Sequence, residues 1–198
     1  MLNPVSQWWG TSQPTISFGQ GYSVTAMQAT SVFATIANSG VRITPTLVAG
    51  TSDSSGHYTA EKKPESRRVI SADVAKQLSA MMESVTQEGG TATRAAIPGY
   101  RVAGKTGTAE RYDSSCGCYR GYTSSFIGFA PADKPRFVMS VTVQNPVGIH
   151  WGGYLGGPVF KSVISYALKK YRVPPTGVEF IPFPLDKAGL KSFAPDKG

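Results

Sequence analysis

The 198 residues are 40% hydrophobic, 11% aromatic and 16% charged, which is enough apolar material for one folded domain or most of one and too much for a disordered chain. Lys and Arg number 20 against 12 Asp and Glu, a net charge of +8, so a basic face can meet an anionic polymer or lipid. The basic residues are scattered, with pairs only at Lys62-Lys63, Arg67-Arg68 and Lys169-Lys170, and without a cluster or stacking aromatics nucleic acid is excluded as the expected partner.

Residues 1–21 carry Trp8, Trp9, Pro14 and three glycines and read as irregular structure leading into a helix. Ser23 or Thr25 can cap that helix, and Ala26, Ala29, Phe33 and Ile36 form its apolar stripe. Asn38-Ser39-Gly40 stops it. Val41 to Leu47 reads as a short extended segment interrupted by Pro45, and residues 50–66 as a polar loop. Ser71 caps a second helix whose face is Val74, Ala75, Leu78, Met81, Met82 and Val85, ended by Gly89-Gly90. The methionines fit a core.

Arg101 to Arg111 reads as a strand, residues 112–121 as its loop, and Thr123 to Ala130 as a second strand. Pro131 to Pro135 is a turn, and Phe137, Met139, Val141 and Val143 alternate along a third strand, an antiparallel arrangement. Gly148 to Gly157 reads as a glycine-rich loop. Pro158 then opens a last helix with the face Phe160, Val163, Ile164, Ala167, Leu168 and Tyr171, stopped by Pro174-Pro175. Residues 176–198 form a Pro/Gly-rich tail. The order predicts an α+β fold, an antiparallel sheet covered by helices.

Chemistry concentrates in Lys105-Thr106-Gly107-Thr108. Alternation along a strand puts Lys105 and Gly107 on one face and Thr106 and Thr108 on the other. Gly107 admits another backbone. A cation, two hydroxyls and a bare backbone together suit an edge strand that receives an extended peptide and holds its carboxylate. Other candidates are weaker. Cys116 and Cys118 are too few for a structural zinc site; they are either a disulfide or two free thiols. His57 lies in the polar loop. In His150-Trp151-Gly152-Gly153-Tyr154, Trp151 and Tyr154 either pack or line a cleft. Glu110 and Arg111 have a rim role or none. Ser71-Ala72-Asp73 is a helix cap. Ser124 and Ser125 have no recognisable general base.

The lysine tetrapeptide is one signature of penicillin-binding proteins and serine β-lactamases. Around it stand Phe18-Gly19-Gln20-Gly21, Val24-Thr25-Ala26-Met27-Gln28, Ile36-Ala37-Asn38-Ser39-Gly40, Phe126-Ile127-Gly128-Phe129-Ala130-Pro131, Gly156-Gly157-Pro158-Val159-Phe160 and Val173-Pro174-Pro175. In this order the set resembles the C-terminal half of the transpeptidase domain of class B penicillin-binding proteins, most closely the division-specific branch, over residues 15–176. The resemblance implies a partial transpeptidase fold over residues 1–175, with 176–198 a tail. It implies a peptidoglycan D,D-transpeptidase that cross-links D-Ala-D-Ala stem peptides by serine acyl transfer and binds β-lactams. No metal or organic cofactor is implied. Lys105 would place positive charge near the substrate carboxylate. Thr106 and Thr108 would hydrogen-bond that carboxylate, the Thr108 backbone N–H would be an oxyanion-hole donor, and Gly107 would let the substrate lie along the strand.

The departures are as informative. No Ser-x-x-Lys and no Ser-x-Asn occurs in the chain, so the nucleophile is expected from the missing N-terminal half of the domain. The chain alone is then expected to be at best marginally folded. The alternative reading is a catalytically dead fragment or pseudoenzyme that serves as a binding or interaction module; a complete β-lactamase is disfavoured. The resemblance places the parent on the outer face of the cytoplasmic membrane among division or elongation proteins. This chain shows neither a run of ~18 apolar residues nor a signal peptide, and made alone from Met1 it is expected to stay in the cytosol.

Overall fold

The structure is a computed structural model that describes residues 3–19 and 21–177. A 3-10 turn at Val5–Gln7 and a short helix α1 (Ser12–Ser17) precede helix α2 (Ala26–Ala37). Four short strands follow, β1 (Val41–Ile43), β2 (Gly50–Ser52), β3 (Tyr58–Ala60) and β4 (Ser66–Arg68), then helix α3 (Ala72–Ser84) and a 3-10 turn at Thr93–Ala95. Three long strands, β5 (Ala103–Asp113), β6 (Cys118–Ala130) and β7 (Phe137–Gln144), lead into helix α4 (Gly152–Lys170).

Local chemistry explains the helix boundaries. Of the two expected caps of α2, Thr25 takes the position: its hydroxyl accepts from Gln28 N at 3.1 Å and Gln28 Oε1 accepts from Thr25 N at 2.9 Å, a reciprocal capping box. Ser39 (φ 53°) and Gly40 (φ 83°) end the helix in left-handed backbone. A side chain at Gly40 would also strike the Ile70 backbone, so only glycine fits there. Ser71 caps α3, its hydroxyl accepting from Val74 N at 3.2 Å.

The three long strands form one antiparallel sheet in the order β5-β6-β7. Thr106 pairs with Phe126 and Phe126 with Val141. Helix α4 covers one face: Phe126 and Val141 pack with Phe160, Ile164 and Leu168, and the Phe126 and Phe160 rings meet edge-on at 5.1 Å. Each such fully buried side chain contributes ~1.5–3 kcal/mol. The other face carries Ala103 and Phe129 against Met82 of α3 and Phe33 and Ile36 of α2. The expected α+β architecture, an antiparallel sheet covered by helices, is the one observed. Glu83 of α3, buried in this layer, accepts two hydrogen bonds from the Arg101 guanidinium, Nε to Oε2 and Nη2 to Oε1, both at 2.7 Å. That fork fixes α3 to the start of β5.

Several expectations need correction. Residues 50–66 are not one loop: β2 and β3 form a hairpin, and β4 pairs with β1 in the register Arg42↔Arg67. These strands are mostly exposed on both faces, so they lack the apolar alternation that marks a strand in sequence. Residues 112–121 are mostly strand too, with Tyr112↔Tyr119 and Asp113↔Cys118 paired beyond a bulge. Cys116 and Cys118 are disulfide-bonded at the tip. The first 21 residues are less irregular than expected, since they include α1.

The largest error concerns 148–157. Helix α4 starts at Gly152, and Pro158 lies inside it. Gly152, Gly153, Gly156 and Gly157 are all buried, and a β-carbon at any of the first three would come within 3.0 Å of a neighbour, chiefly the backbones of Ser125, Gly107 and Thr91 and the Phe126 side chain. Glycine costs about 1 kcal/mol per residue in a helix, and here close approach to the sheet and to the Thr93–Ala95 turn offsets that cost. The tail assignment beyond residue 177 lies outside the described residues.

Candidate functional site

Lys105, Thr106, Gly107 and Thr108 lie together on β5, which has β6 on one side and no strand on the other among the described residues. The structure therefore brings the four predicted residues together on a sheet edge. Alternation holds through the motif. Thr106 and Thr108 both meet elements on the α4 side: Thr106 Oγ1 lies 3.2 Å from Thr91 Oγ1, and Thr108 Oγ1 accepts a long hydrogen bond from Gly152 N at 3.4 Å. Lys105 is on the opposite face, exposed, with its ammonium donating to the Thr106 carbonyl at 2.9 Å. The cation is thus folded back along the strand edge. That single exposed contact holds it weakly, so it can turn to an incoming anion.

Gly107 is where other groups come closest. A β-carbon there would fall 2.5 Å from Ser125 Oγ. On the opposite side the Gly107 carbonyl lies against Gly152 at the start of α4. Trp151 stands at the N-cap of α4 but supplies no capping bond; the Thr108 hydroxyl, reaching over from β5, takes that part. Accepting from Gly152 leaves the Thr108 hydroxyl its own proton to donate, and one member of the Thr91–Thr106 pair keeps a free proton in the same way. The Thr108 hydroxyl, one hydroxyl of the Thr91–Thr106 pair and Lys105 consequently cluster at one edge, a set suited to a carboxylate.

The loop between β7 and α4 is pinned to the sheet. Ser124, buried on β6, donates to the His150 carbonyl. The His150 ring stacks on Tyr122 with centroids 4.0 Å apart and touches Trp151 at 4.8 Å. Tyr154 packs under the Arg94 guanidinium, 4.0 Å from its ring centre, which gives it a packing role; Trp151 is largely exposed. Ser124 is spoken for as a donor, and Ser125 lies beside Gly107, so neither serine is presented to a base. His57 sits in the β2–β3 turn, with its backbone N–H donating to Asp53 Oδ1 at 2.9 Å. Ser71 is the α3 cap and nothing else visible. Glu110 and Arg111 are exposed beyond the motif. Sequence reasoning missed Thr91 and the Gly152–Gly153 approach. The signal was the pairwise glycine spacing at 152, 153, 156 and 157, which marks one face of a helix.

Residues 3–165 match the family model described as "Penicillin binding protein transpeptidase domain". This chain belongs to the penicillin-binding protein transpeptidase family. Among curated proteins it is 39% identical over 184 residues to penicillin-binding protein PbpB of Mycolicibacterium smegmatis, covering 88% of this chain and 28% of that protein. It is 36% identical over 178 residues to stage V sporulation protein D of Bacillus subtilis, covering 88% of this chain and 27% of the relative. Among solved structures, penicillin-binding protein 3 of Mycobacterium tuberculosis complexed with ampicillin superposes with a TM-score of 0.83 at 33% identity, over 92% of this chain and 42% of that one. The transpeptidase domain of Burkholderia pseudomallei penicillin-binding protein 3 gives 0.75 at 34% identity, over 90% of this chain and 52% of that one. The chain therefore spans about a quarter of the curated relatives and roughly half of the solved domains, as a partial penicillin-binding fold does. Among the described residues no helix is long and apolar enough to cross a membrane.

Proposed function

We propose that this chain is the substrate-cradling part of a peptidoglycan D,D-transpeptidase, residues 1–175 being the C-terminal part of the domain and 176–198 a tail. The observation that carries the reading is the open β5 edge with Lys105, Thr106, Gly107 and Thr108 in register along it. A stem peptide ending in D-Ala-D-Ala adds to that edge as an extra strand. Lys105 supplies charge, and the Thr106 and Thr108 hydroxyls donate to the terminal carboxylate. The Thr108 N–H stabilises the oxyanion when a serine attacks the penultimate carbonyl, a donor worth a few kcal/mol in such sites. A β-lactam carboxylate uses the same hydroxyls.

The nucleophile comes from the missing N-terminal half of the domain. Support lies in what the described residues leave open. β7 is unpaired on its outer edge, and α2 exposes Met27 and Val32, surfaces an adjoining half would cover. The parent works on the outer face of the cytoplasmic membrane in a division-specific role, with division proteins as partners.

Labelling by a fluorescent penicillin, read on a denaturing gel, tests the reading. This chain alone should give no covalent band, and supplying the upstream half should restore one. Thr106→Val combined with Lys105→Ala should lower the restored labelling rate by roughly 10²–10³. A band from this chain alone would identify an unrecognised serine and overturn the assignment of roles.

A further inference from the structure

Beyond the motif, β5 and β6 run on as a two-stranded arm that ends in a turn, and the turn carries a reactive group that the transpeptidase reading does not use. Cys116 and Cys118 are joined by a disulfide across the single residue Gly117. A disulfide stabilises a fold mainly by closing a loop of the unfolded chain, and more so the longer the loop. This one closes almost none. Nor does it tie β5 to β6. Cys118 opens β6, but Cys116 lies in the turn, after β5 has ended at Asp113. As a staple for the fold the bridge has little to hold.

The turn has supports of its own. Asp113 Oδ1 accepts from the Ser115 hydroxyl at 2.6 Å and the Ser115 N–H at 3.0 Å. The Asp113 carbonyl accepts from Cys116 N at 3.3 Å, and Asp113 pairs with Cys118 across the ladder. One rung further in, the Tyr112 and Tyr119 rings meet edge-on at 5.8 Å. Gly117 takes the left-handed backbone of the bend, φ 62°, at no steric cost. None of these contacts passes through sulfur. The opened form is provided for as well. Cys116 Sγ stands 3.6 Å from the Asp113 carbonyl oxygen. The disulfide sulfur has no proton to give it, whereas a thiol there would donate one.

Access is open. Cys116 and Gly117 are exposed and Cys118 is half-buried, and nothing lies within 4 Å of the β-carbon position at Gly117. Exposed disulfides are the labile ones. We propose that Cys116–Cys118 is a reversible thiol–disulfide exchange site whose co-reactant is a dithiol. One thiolate of the dithiol attacks Cys116 Sγ. The S–S bond breaks, and its electron pair leaves on Cys118 Sγ, which takes up a proton. The second thiolate attacks the dithiol's own sulfur in the mixed disulfide and releases Cys116, which is protonated in turn. The dithiol ends as a disulfide, having passed two electrons and two protons to the arm. A disulfide partner runs the same steps backwards and recloses the bridge. The exchange does not depend on what the β5 edge binds.

The test holds the chain, joined to the N-terminal half of the domain proposed above, in glutathione buffers, then quenches with iodoacetamide and digests with trypsin. Cleavage after Arg111 and Arg120 leaves both cysteines on the peptide 112–120, whose mass reports two alkyl groups or none. More than half should be opened in ~10 mM reduced against ~0.1 mM oxidised glutathione, a mixture that leaves structural disulfides closed. Opening should move the melting temperature by less than ~2 °C and confine amide shifts in NMR spectra to residues 112–119. Dithiothreitol and thioredoxin then separate a small dithiol from one on a protein, through Tyr119→Ser, which alters the exposed ring beside Cys118. A rate loss confined to thioredoxin assigns a protein dithiol seated on the arm; unchanged rates with both assign a small one. A bridge that stays closed in the glutathione mixture overturns the site. So does an opening that broadens the melt or shifts amides in the β6 core, since the disulfide would then be a structural staple.

Discussion

Replacing Gly152 by alanine probes the contact that joins helix α4 to strand β5. An added β-carbon would lie closer than 3.0 Å to the carbonyl oxygens of both Ser125 and Gly107. Both are sheet backbone and cannot rotate away. Relief requires the first turn of α4 to move outward by about 1 Å, and such overpacking costs ~1–3 kcal/mol. The same shift breaks the Gly152 N to Thr108 Oγ1 bond, already long at 3.4 Å, for a further ~0.5–1.5 kcal/mol. Alanine's better helix propensity returns up to ~1 kcal/mol. The balance is a loss of ~1–3 kcal/mol. For a domain of this size each 1 kcal/mol moves the melting temperature by ~2–4 °C, so a drop of roughly 4–8 °C is expected near the middle of the range. Gly10→Ala is the control, since nothing lies within 4 Å of a β-carbon there. Differential scanning fluorimetry on the chain joined to the N-terminal half of the domain proposed above reads the difference. If Gly152→Ala melted level with Gly10→Ala, the close helix–strand contact would be refuted, and with it the idea that α4 sets the position of Gly107.

Arg101→Ala removes the partner of a buried carboxylate. Stranding a buried charge costs up to ~3–5 kcal/mol; partial exposure of Arg101 (22% of its side chain) lets water reach the site and lowers this to ~2–3 kcal/mol. Urea denaturation should show the loss, with Glu83→Gln milder; no change in midpoint would count against the fork as an anchor. The Asp113 carboxyl is held below its ordinary 3.8 first by the Ser115 hydroxyl, then by the Ser115 N–H, and also by the Arg111 charge. Its folded value being depressed, the turn's stabilisation is fully present above 3.8 and lost as pH falls through the folded value. In Ser115→Ala an NMR titration should find the Asp113 midpoint moved up toward 3.8; an unmoved midpoint would sink that account. Finally, the chain purified alone should melt broadly and self-associate through its exposed apolar faces, whereas a sharp melt with monomeric elution would overturn that expectation.

What could be read from the sequence divides by burial. The buried faces of α2, α3 and β7 were legible, because Phe33, Met82 and Val141 fall in apolar rows at helical or strand spacing; β6 was legible only as a strand, since Phe126 and Phe129 face opposite layers. The four motif residues were legible as one strand segment, and strand alternation placed Lys105 opposite Thr106 and Thr108 as observed. The β2–β3 hairpin was not legible, since its strands are held by backbone pairing and turn geometry with little burial to pattern them. The start of α4 was misread for a different reason. Glycine penalises a helix locally, and only the tertiary contact with Ser125 and Gly107 makes it the residue required. Thr91 escaped notice because its pairing with Thr106 spans 15 residues and leaves no local trace.

Thr108 shows why the tetrapeptide needs this fold. On an isolated strand its hydroxyl would face water, free to bond in any direction. Here it accepts from the first amide of α4, which fixes the oxygen against the helix start and leaves its own proton to donate. The glycines that let α4 come so close are what place that amide within reach. Any bulkier residue at Gly152 or Gly153 would push the helix end away from Thr106 and Thr108 together. The placement of the Thr108 hydroxyl at β5 thus depends on a position 44 residues away in sequence, through a seam of absent side chains. Substitutions along that seam are expected to weaken ligand binding more than their effect on stability alone would predict.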